Sequence, residues 1–315
     1  MPTPSGDTTA SSSGPRVSLH MAVFNTQKYL EAAVRSILDQ TFRDFDLVLW
    51  DDGSTDGSAV ILQKLAATDP RVRVCTGQHA GVAAAHANAI AASSGAYIGW
   101  IDSDDVLAPT ALAETVAALD KNPAAGLVYT DYFDMDDSGT RTRLGQRCKI
   151  PYSKERLLVD FMTFHFRLLR RSVFDAAGGM DVAAQNGAED YDLCLRMSEH
   201  GDVFHLAKPL YYYRSRPSSF SRRQRFDQIQ ASEQAVRRAL ARRGLADTYE
   251  LSVQITSHFR LRKKAAPPAN KPGSNPQSAP LKVVRGNALA PASGLKVTIG
   301  KSRRSPIASA PISKP

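Results

Sequence analysis

The sequence has few of the features that mark several common protein classes. Its 315 residues include only three cysteines, widely spaced and without a Cys-x-x-Cys pair, so neither a disulfide framework nor a zinc site is expected. It has no run of 18 or more apolar residues, which argues against a membrane-spanning helix. The first 16 residues lack the layout of a secretory signal. We therefore expect a cytoplasmic protein.

Acidic residues are absent from positions 251–315, which carry twelve lysines and arginines. Since the whole chain has a net charge of +9, the first 250 residues carry a net charge of −3. The basic character thus belongs to the C-terminal part. No aromatic residue follows Phe259, which disfavours stacking on bases, and no specific nucleic acid partner is expected. A basic tail can contact anionic lipid, so a peripheral contact with the inner face of the membrane is an open prediction.

Composition divides the chain into four segments. Residues 1–15 are rich in Ser, Thr, Pro and Gly and are predicted to be disordered. Residues 16–221 alternate short apolar runs with stretches of helical spacing and are predicted to form one α/β domain. Partial helical spacing predicts a helical extension over 222–262. The basic, Pro- and Ala-rich remainder, 263–315, is predicted to be a disordered tail.

The alternation within 16–221 predicts a Rossmann-like, mostly parallel sheet flanked by helices on both faces. Ligands bind such sheets outside the carboxyl ends of the strands. Acidic residues follow three of the predicted strands there: Asp51-Asp52, Asp102–Asp105 and Asp131. Their shared placement is the first sign of a site.

The segment Asp102–Asp105 (DSDD) groups three carboxylates that repel one another. A hard divalent cation such as Mg²⁺ or Mn²⁺ relieves this repulsion and often binds through one or two carboxylates together with diphosphate oxygens. The alternative is a polar turn before the next helix, and the position after an apolar strand favours the metal site. Asp52 has two interpretations, a cap of the next helix or an acceptor for a nucleoside.

Three further features have both a structural and a functional interpretation. Glu189-Asp190 begins a predicted helix, where the carboxylates either complement the helix dipole or supply a general base. Arg214 follows three tyrosines and either lies on an edge strand or clamps phosphate oxygens. His165, between two phenylalanines, either belongs to the core, which we favour, or lines an acceptor site.

Six segments, in this order, resemble the family 2 inverting glycosyltransferases, whose catalytic domain has the GT-A fold. The resemblance covers roughly residues 16 to 221. The segments are VSLHMAVFNTQKYLEAAVRSILDQTF, LVLWDDGSTDGS, GVAAAHANAIAASSGAYIGWIDSDD, LLRRSVFDAAGGMD, GAEDYDLCLRM and LYYYRSRPSSFS.

The resemblance implies roles for the residues at matching positions. Asp190 would be the catalytic base, and Asp104 would hold Mn²⁺ or Mg²⁺, with Asp102 as a second candidate ligand. Glu189 and His165 would lie on the acceptor side. Contacts to the donor would come from Val23, Asn25, Tyr29, Asp52 (to the base, most often uracil), Asp102 (to ribose or sugar), Arg214 and Arg216.

Two positions depart from the family pattern. His86 stands where the family usually has arginine, and the asparagine that normally follows is displaced to Asn88. Arg216 stands where many members have histidine; both can donate to phosphate. The departures concern contacts to the diphosphate and leave the carboxylates intact.

The resemblance therefore implies an enzyme that moves a hexose or N-acetylhexosamine, UDP-linked in the family's most frequent manner, onto a hydroxyl of a glycan, a lipid-linked glycan or another acceptor, with inversion. One alternative is a nucleotidyltransferase that makes the sugar nucleotide, but the loop Ala22–Thr26 lacks the glycines and arginine expected for it. The missing GxGxxG after the first strand argues against NAD binding. Another alternative is a non-catalytic protein that binds polyanions or membranes through its tail.

Overall fold

The computed structural model describes residues 14–183, 187–215, 225–254 and 296–301. The strands are β1 (Val17–Val23), β2 (Phe45–Asp51), β3 (Val72–Thr76), β4 (Tyr97–Trp100), β5 (Val106–Leu107), β6 (Ala125–Met135), β7 (Arg141–Leu144), β8 (Arg167–Arg170), β9 (Asp202–Arg214), β10 (Tyr249–Gln254) and β11 (Lys296–Lys301). The α-helices are α1 (Gln27–Leu38), α2 (Ser58–Thr68), α3 (Val82–Ala91), α4 (Ala111–Lys121), α5 (Arg171–Ala176), α6 (Glu189–His200) and α7 (Arg225–Arg242). Short 3₁₀ turns cover Gln146–Lys149 and Arg156–Leu158.

The central sheet has the strand order β3-β2-β1-β4-β8-β6-β9-β5, and β7 pairs with β6. Strands β1 to β4 are parallel, and a helix follows each of β1, β2 and β3 before the next strand. Strand β8 then enters antiparallel to both β4 and β6, so the second half is mixed. The predicted α/β class with a central sheet and flanking helices is confirmed.

Apolar side chains pack on both faces of this sheet, as the sequence pattern predicts. One core lies under α1, α2 and α4, where Leu30, Leu62 and Leu112 are buried. The other lies under α3, α6 and α7, where Ile90 and Leu195 are buried. Burial of both faces explains why the inner strands read as continuous apolar runs.

Asp131 does not follow a strand, which corrects the prediction of an acidic loop there. Strand β6 continues to Met135 because Tyr132 and Met135 remain buried beyond the aspartate. The pairing with β9 shifts register on either side of Asp131, which lies opposite Pro209. The Asp131 carboxylate lies 2.9 Å from His205 Nε2, inside the sheet and away from the other acidic residues.

The C-terminal elements differ in part from the sequence expectation. Helix α7 occurs within the predicted extension and packs on α6 through Val236 and Leu240, whereas Phe226 in its first turn is 71% exposed. Strand β10 pairs with β11 in an antiparallel two-stranded sheet. Residues 296–301 thus form a strand within the segment that the sequence predicts to be a disordered tail. Val297 and Ile299 alternate with polar residues, a pattern too short to count as sustained periodicity but sufficient for a strand.

No helix in the described segments is long and apolar enough to cross a membrane. The three cysteines, all of which the structure describes, are free thiols.

Candidate functional site

A cavity of about 840 Å³ opens at the carboxyl ends of β1, β2 and β4. Its walls come from the loops after these strands, the start of α6, the segment 146–165 and the inner side of α7 and β10. Of the sequence-predicted site residues, the following line it: Val23, Asp52, Asp102, Asp104, His165, Glu189, Asp190 and Arg214. The topology thus gathers most of the predicted residues around one space.

The end of the cavity beside β1 and β2 is formed by Phe24, Asp52 and His79. The Phe24 ring stacks on His79 with centroids 4.0 Å apart. The Asp52 carboxylate is buried and accepts hydrogen bonds from the Ala80 and Gly81 N–H groups, both at 2.9 Å, and lies 2.8 Å from His79 Nδ1. Asp52 therefore fixes the loop after β3 against this end of the cavity. The sequence analysis missed Phe24 and His79, although Phe24 lies within the matched segment.

Asn25 and Tyr29, predicted donor contacts, do not belong to the cavity lining. Asn25 has a φ of 53°, and its side-chain oxygen accepts hydrogen bonds from the Thr55 N–H at 2.8 Å and the Asp56 N–H at 3.2 Å. It thereby ties the loop after β1 to the loop after β2. The Tyr29 hydroxyl donates to the Asp137 carboxylate. In this structure both residues shape the loops beside the cavity.

The three carboxylates of the DSDD segment point in different directions. Asp102 and Asp104 line the cavity, and the Asp102 side chain is 37% exposed. Asp105 is buried, where it accepts hydrogen bonds from the Tyr211 hydroxyl at 2.7 Å and the Arg214 N–H at 2.6 Å. Burial, and then the charges of Asp104 and Asp102, raise the pKa of the Asp105 carboxyl well above its usual value. Asp105 thus anchors β9, and only its two neighbours face the cavity.

Substitution of Asp105 tests this division of roles. We expect Asp105→Ala to lower the free energy of unfolding by about 2–4 kcal/mol, because it leaves the Tyr211 hydroxyl and Arg214 N–H without their acceptor. Asp105→Asn keeps an acceptor oxygen and should cost less. Urea denaturation measures both. A folded Asp105→Asn variant without any metal response would contradict the assignment, since it would make Asp105 a ligand.

His165 lies next to Asp102, the second candidate metal ligand. Its ring is buried and stacks on Tyr211 with centroids 5.0 Å apart, and Nε2 lies 3.4 Å from Asp102 Oδ2. Burial lowers the pKa of His165 well below its usual value, so the imidazole is neutral and this contact is not an ion pair. His165 is therefore a buried histidine that also lines the cavity.

The residues expected to meet the diphosphate differ in the charge that they bring to the cavity. His86 is buried, with its ring centroid 5.4 Å from that of Trp100, and burial followed by the charge of Arg167 lowers the pKa of His86 to about 4. Arg214 donates through Nε to the Asp104 carbonyl at 2.6 Å and through Nη1 to the Asp136 and Asp137 carbonyls. These bonds to neutral carbonyls fix the guanidinium cation at the cavity wall. Arg216 lies outside the described residues.

Asp190 lies in the first turn of α6, as predicted. Its Oδ2 is 3.1 Å from Nη2 of Arg167, an arginine that is 1% exposed. The other terminal nitrogen of Arg167 donates to the Thr163 carbonyl at 3.1 Å, and the guanidinium lies 5.2 Å from the Trp100 ring centroid. Arg167 therefore holds the Asp190 carboxylate in one orientation. The sequence analysis missed it, because 23 residues separate the pair.

Glu189 precedes Asp190 but is 8% exposed, and its Oε2 has no hydrogen-bond partner among the described residues. Burial, and then the charge of Asp190, raise the pKa of the Glu189 carboxyl to about 7. The neutral carboxyl can donate as well as accept a hydrogen bond, which suits a residue that contacts sugar hydroxyls.

The raised pKa of Glu189 has a consequence for stability. Because the folded pKa exceeds the usual 4.5, the folded state binds more protons than the unfolded state between pH 4.5 and about 7, so Glu189 makes stability fall as pH rises through this window. We expect Glu189→Gln to gain thermal stability over the wild type from pH 5 to pH 8. Glu31→Gln, at an exposed position, is the control. Melting temperatures that differ by the same amount at both pH values would contradict the shift.

Comparison with known proteins agrees with the fold and the matched segments. The glycosyl transferase family 2 profile matches residues 18–178, about half of the chain. The chain belongs to glycosyl transferase family 2. This confirms the family resemblance and places β1 to β4, the DSDD segment and β8 within the matched region of a family 2 domain.

Among curated relatives, this family 2 chain is 34% identical to chondroitin synthase of Escherichia coli over 197 residues, which is 62% of this chain and 28% of the relative. The chain thus spans less than a third of that protein's length. Among solved structures, S. aureus TarS residues 1–349 in complex with UDP-GlcNAc matches with a TM-score of 0.56 at 16% identity, covering 72% of this chain and 73% of that one. The mannosyltransferase PcManGT from Pyrobaculum calidifontis, in complex with GDP-Man and Mn²⁺, matches with a TM-score of 0.57 at 18% identity, covering 72% and 65%. At these identities the solved structures support the fold, and the GT-A prediction is confirmed.

The acidic residues meet the requirements of a divalent cation site. Asp102 and Asp104 offer hard oxygen ligands at the cavity wall, and burial, followed by the charges of these two residues, raises the pKa of the neighbouring Asp105. In the described part of the chain no three His, Cys, Asp or Glu side chains form a complete metal site. A cation here would therefore need further oxygens from a diphosphate or water, as Mg²⁺ commonly does.

Proposed function

We propose that this family 2 chain transfers a sugar from a nucleotide donor, with UDP as the preferred nucleotide, to a hydroxyl of a glycan or lipid-linked acceptor, with inversion. The observation that carries the proposal is the pairing of two groups across one cavity: the cavity-facing carboxylates of Asp102 and Asp104, and the Asp190 carboxylate held by buried Arg167. The ligands bound in the two solved structures, UDP-GlcNAc in one and GDP-Man with Mn²⁺ in the other, support a nucleotide-sugar donor and a metal.

The donor lies with its nucleoside toward Phe24, Asp52 and His79 and its diphosphate toward Asp104. Asp104, with Asp102, would hold Mn²⁺ or Mg²⁺, which offsets negative charge on the diphosphate. His86 is neutral and adds no charge there, whereas the Arg214 guanidinium is fixed beside Asp104 by backbone carbonyls. A metal bound at Asp104 would add further counter-charge for the leaving group.

Asp190 accepts the proton of the acceptor hydroxyl as its oxygen attacks the anomeric carbon. The new C–O bond forms on the face opposite the diphosphate, the bond to the diphosphate oxygen breaks, and the nucleoside diphosphate leaves. One displacement inverts the anomeric centre. Arg167 orients the carboxylate toward the cavity through the contact at 3.1 Å. General bases in this position typically contribute about 10²–10⁴-fold to the rate.

A donor screen tests the proposal. UDP-, GDP- and dTDP-sugars are added to the full chain with and without Mn²⁺, and the melting temperature is measured. Binding to the folded state raises the melting temperature, so a UDP-sugar with Mn²⁺ should give the largest increase. A preference for GDP would correct the nucleotide. The absence of an increase with any nucleotide sugar, with or without Mn²⁺, would refute the proposed function.

A further inference from the structure

One cation in the cavity wall has no task in the mechanism above. Arg147 lies in the 3₁₀ turn Gln146–Lys149 and lines the cavity. Its guanidinium lies over two aromatic rings, 5.0 Å from the centroid of Phe161 and 4.4 Å from that of Phe164. Such stacking occupies the planar face of a guanidinium. Its N–H bonds lie in the plane of the group and are not used by the stacking contact.

The hydrogen-bonding capacity of this guanidinium is incomplete. Its Nη1 is buried and has no hydrogen-bond partner among the described residues. A buried donor without a partner is unfavourable, and more so when the group is charged. The nearby carboxylate of Asp160, in the same wall, lies 3.0 Å from Arg156 Nε and is paired with that arginine. Arg147 is therefore poised to receive an anionic group from outside the chain.

Its two aromatic neighbours connect Arg147 to both parts of the site. The Phe164 ring packs on His165 at 4.4 Å, and His165 faces Asp102. The Phe161 ring lies 5.7 Å from the guanidinium of Arg167, which holds Asp190. Arg147 is thus one aromatic ring removed from the carboxylates proposed to hold the donor and to take the proton. A group bound to Arg147 would therefore lie between the residues proposed to hold the donor and the residue proposed to take the proton of the acceptor.

We propose that Arg147 binds the carboxylate of a uronic acid, on either the transferred or the accepting sugar. The inference rests on the proposed function and specifies its substrate class. A carboxylate presents two oxygens to the parallel N–H bonds of a guanidinium, and this bidentate pair is strong and directional. The positive charge of Arg147 also offsets the negative charges of Asp102, Asp190 and Asp160 in the surrounding wall. Without it, these carboxylates would repel a negatively charged sugar.

The test compares charged and neutral sugars on Arg147→Met and Arg147→Lys. Arg141→Met is the matched control, since Arg141 also stacks on an aromatic ring, Tyr212 at 5.3 Å, but does not line the cavity. With Mn²⁺ present, calorimetry measures affinities for UDP, UDP-glucose and UDP-glucuronic acid. Saturated with UDP, each protein is then titrated with disaccharides that carry either a glucuronic acid or a glucose at the non-reducing end.

We expect wild type to bind the charged member of one pair more tightly than the neutral member. Arg147→Met should lower the affinity for that charged member by about tenfold or more. Arg147→Lys should recover part of the loss, because it restores charge without the fork. Affinity for UDP should stay unchanged. A loss confined to the donor pair assigns the carboxylate to the transferred sugar, and one confined to the acceptor pair assigns it to the accepting sugar.

Wild type that binds UDP but treats charged and neutral sugars alike would overturn the assignment while leaving the proposed function standing. An equal loss of affinity for UDP, for neutral sugars and for charged sugars in a folded Arg147→Met variant would also overturn the assignment, because it would indicate a structural role. Wild type that does not bind any UDP ligand would instead refute the proposed UDP-dependent function, and the inference with it.

Discussion

Asp190→Asn is expected to reduce the turnover number for glycosyl transfer by about 10²–10⁴-fold while the affinity for the donor changes little. The amide has nearly the shape of the carboxylate, so the first turn of α6 should be preserved. It cannot accept the acceptor proton, however, and its NH₂ group cannot stand in for the charge that Arg167 holds at 3.1 Å. Initial rates with the donor selected by the screen, together with calorimetric donor affinities, separate the chemical step from binding.

The matched control is Asp175→Asn, on an exposed position of α5 outside the cavity lining. It makes the same chemical change and should leave both rate and affinity unaltered. Near-wild-type transfer by Asp190→Asn would remove Asp190 as the base. A comparable loss of donor affinity would instead make Asp190 part of donor binding.

Much of the fold could be predicted from local sequence because its signals are periodic. Apolar runs mark buried strands, and the helical spacing of buried residues such as Leu30 and Ile37 marks α1. The prediction failed where the signal was short or non-local. Asp131 seemed to end a strand, yet the strand continues because β9 pairs beyond it. Residues 296–301 form a strand because β10 provides a partner 47 residues earlier.

The position of the candidate site could be predicted from the sequence, but the contacts between its side chains could not. Carboxylates after strands identify the edge of the sheet at which a ligand binds, and Asp102 and Asp190 indeed share one cavity. The direction of each side chain in a tight turn has no sequence signature, so the inward burial of Asp105 could not be foreseen. The same holds for Arg147 and Arg167, since cation–aromatic and ion-pair contacts between distant residues depend on tertiary packing.

Asp104→Asn is expected to abolish the Mn²⁺-dependent part of donor binding. The substitution keeps the size of the side chain but replaces one of the two cavity-facing carboxylates by an amide. It thereby removes the main charged oxygen ligand for the cation. Donor affinity in Mn²⁺ should fall by about tenfold or more, to the level that wild type shows in EDTA. Calorimetric titration of the donor, with Mn²⁺ and with EDTA, measures both levels for each protein.

Asp105→Asn is the matched control, because it lies next to Asp104 in the same segment but its side chain points into the protein toward Tyr211. It should keep the Mn²⁺ response. The comparison separates a cavity-facing carboxyl from a buried one, since both variants make the same chemical change in DSDD. If the two variants lost the Mn²⁺ response equally, Asp105 would also be a ligand and the division of roles within the segment would be wrong. An unchanged Mn²⁺ response in Asp104→Asn would exclude Asp104 as a ligand.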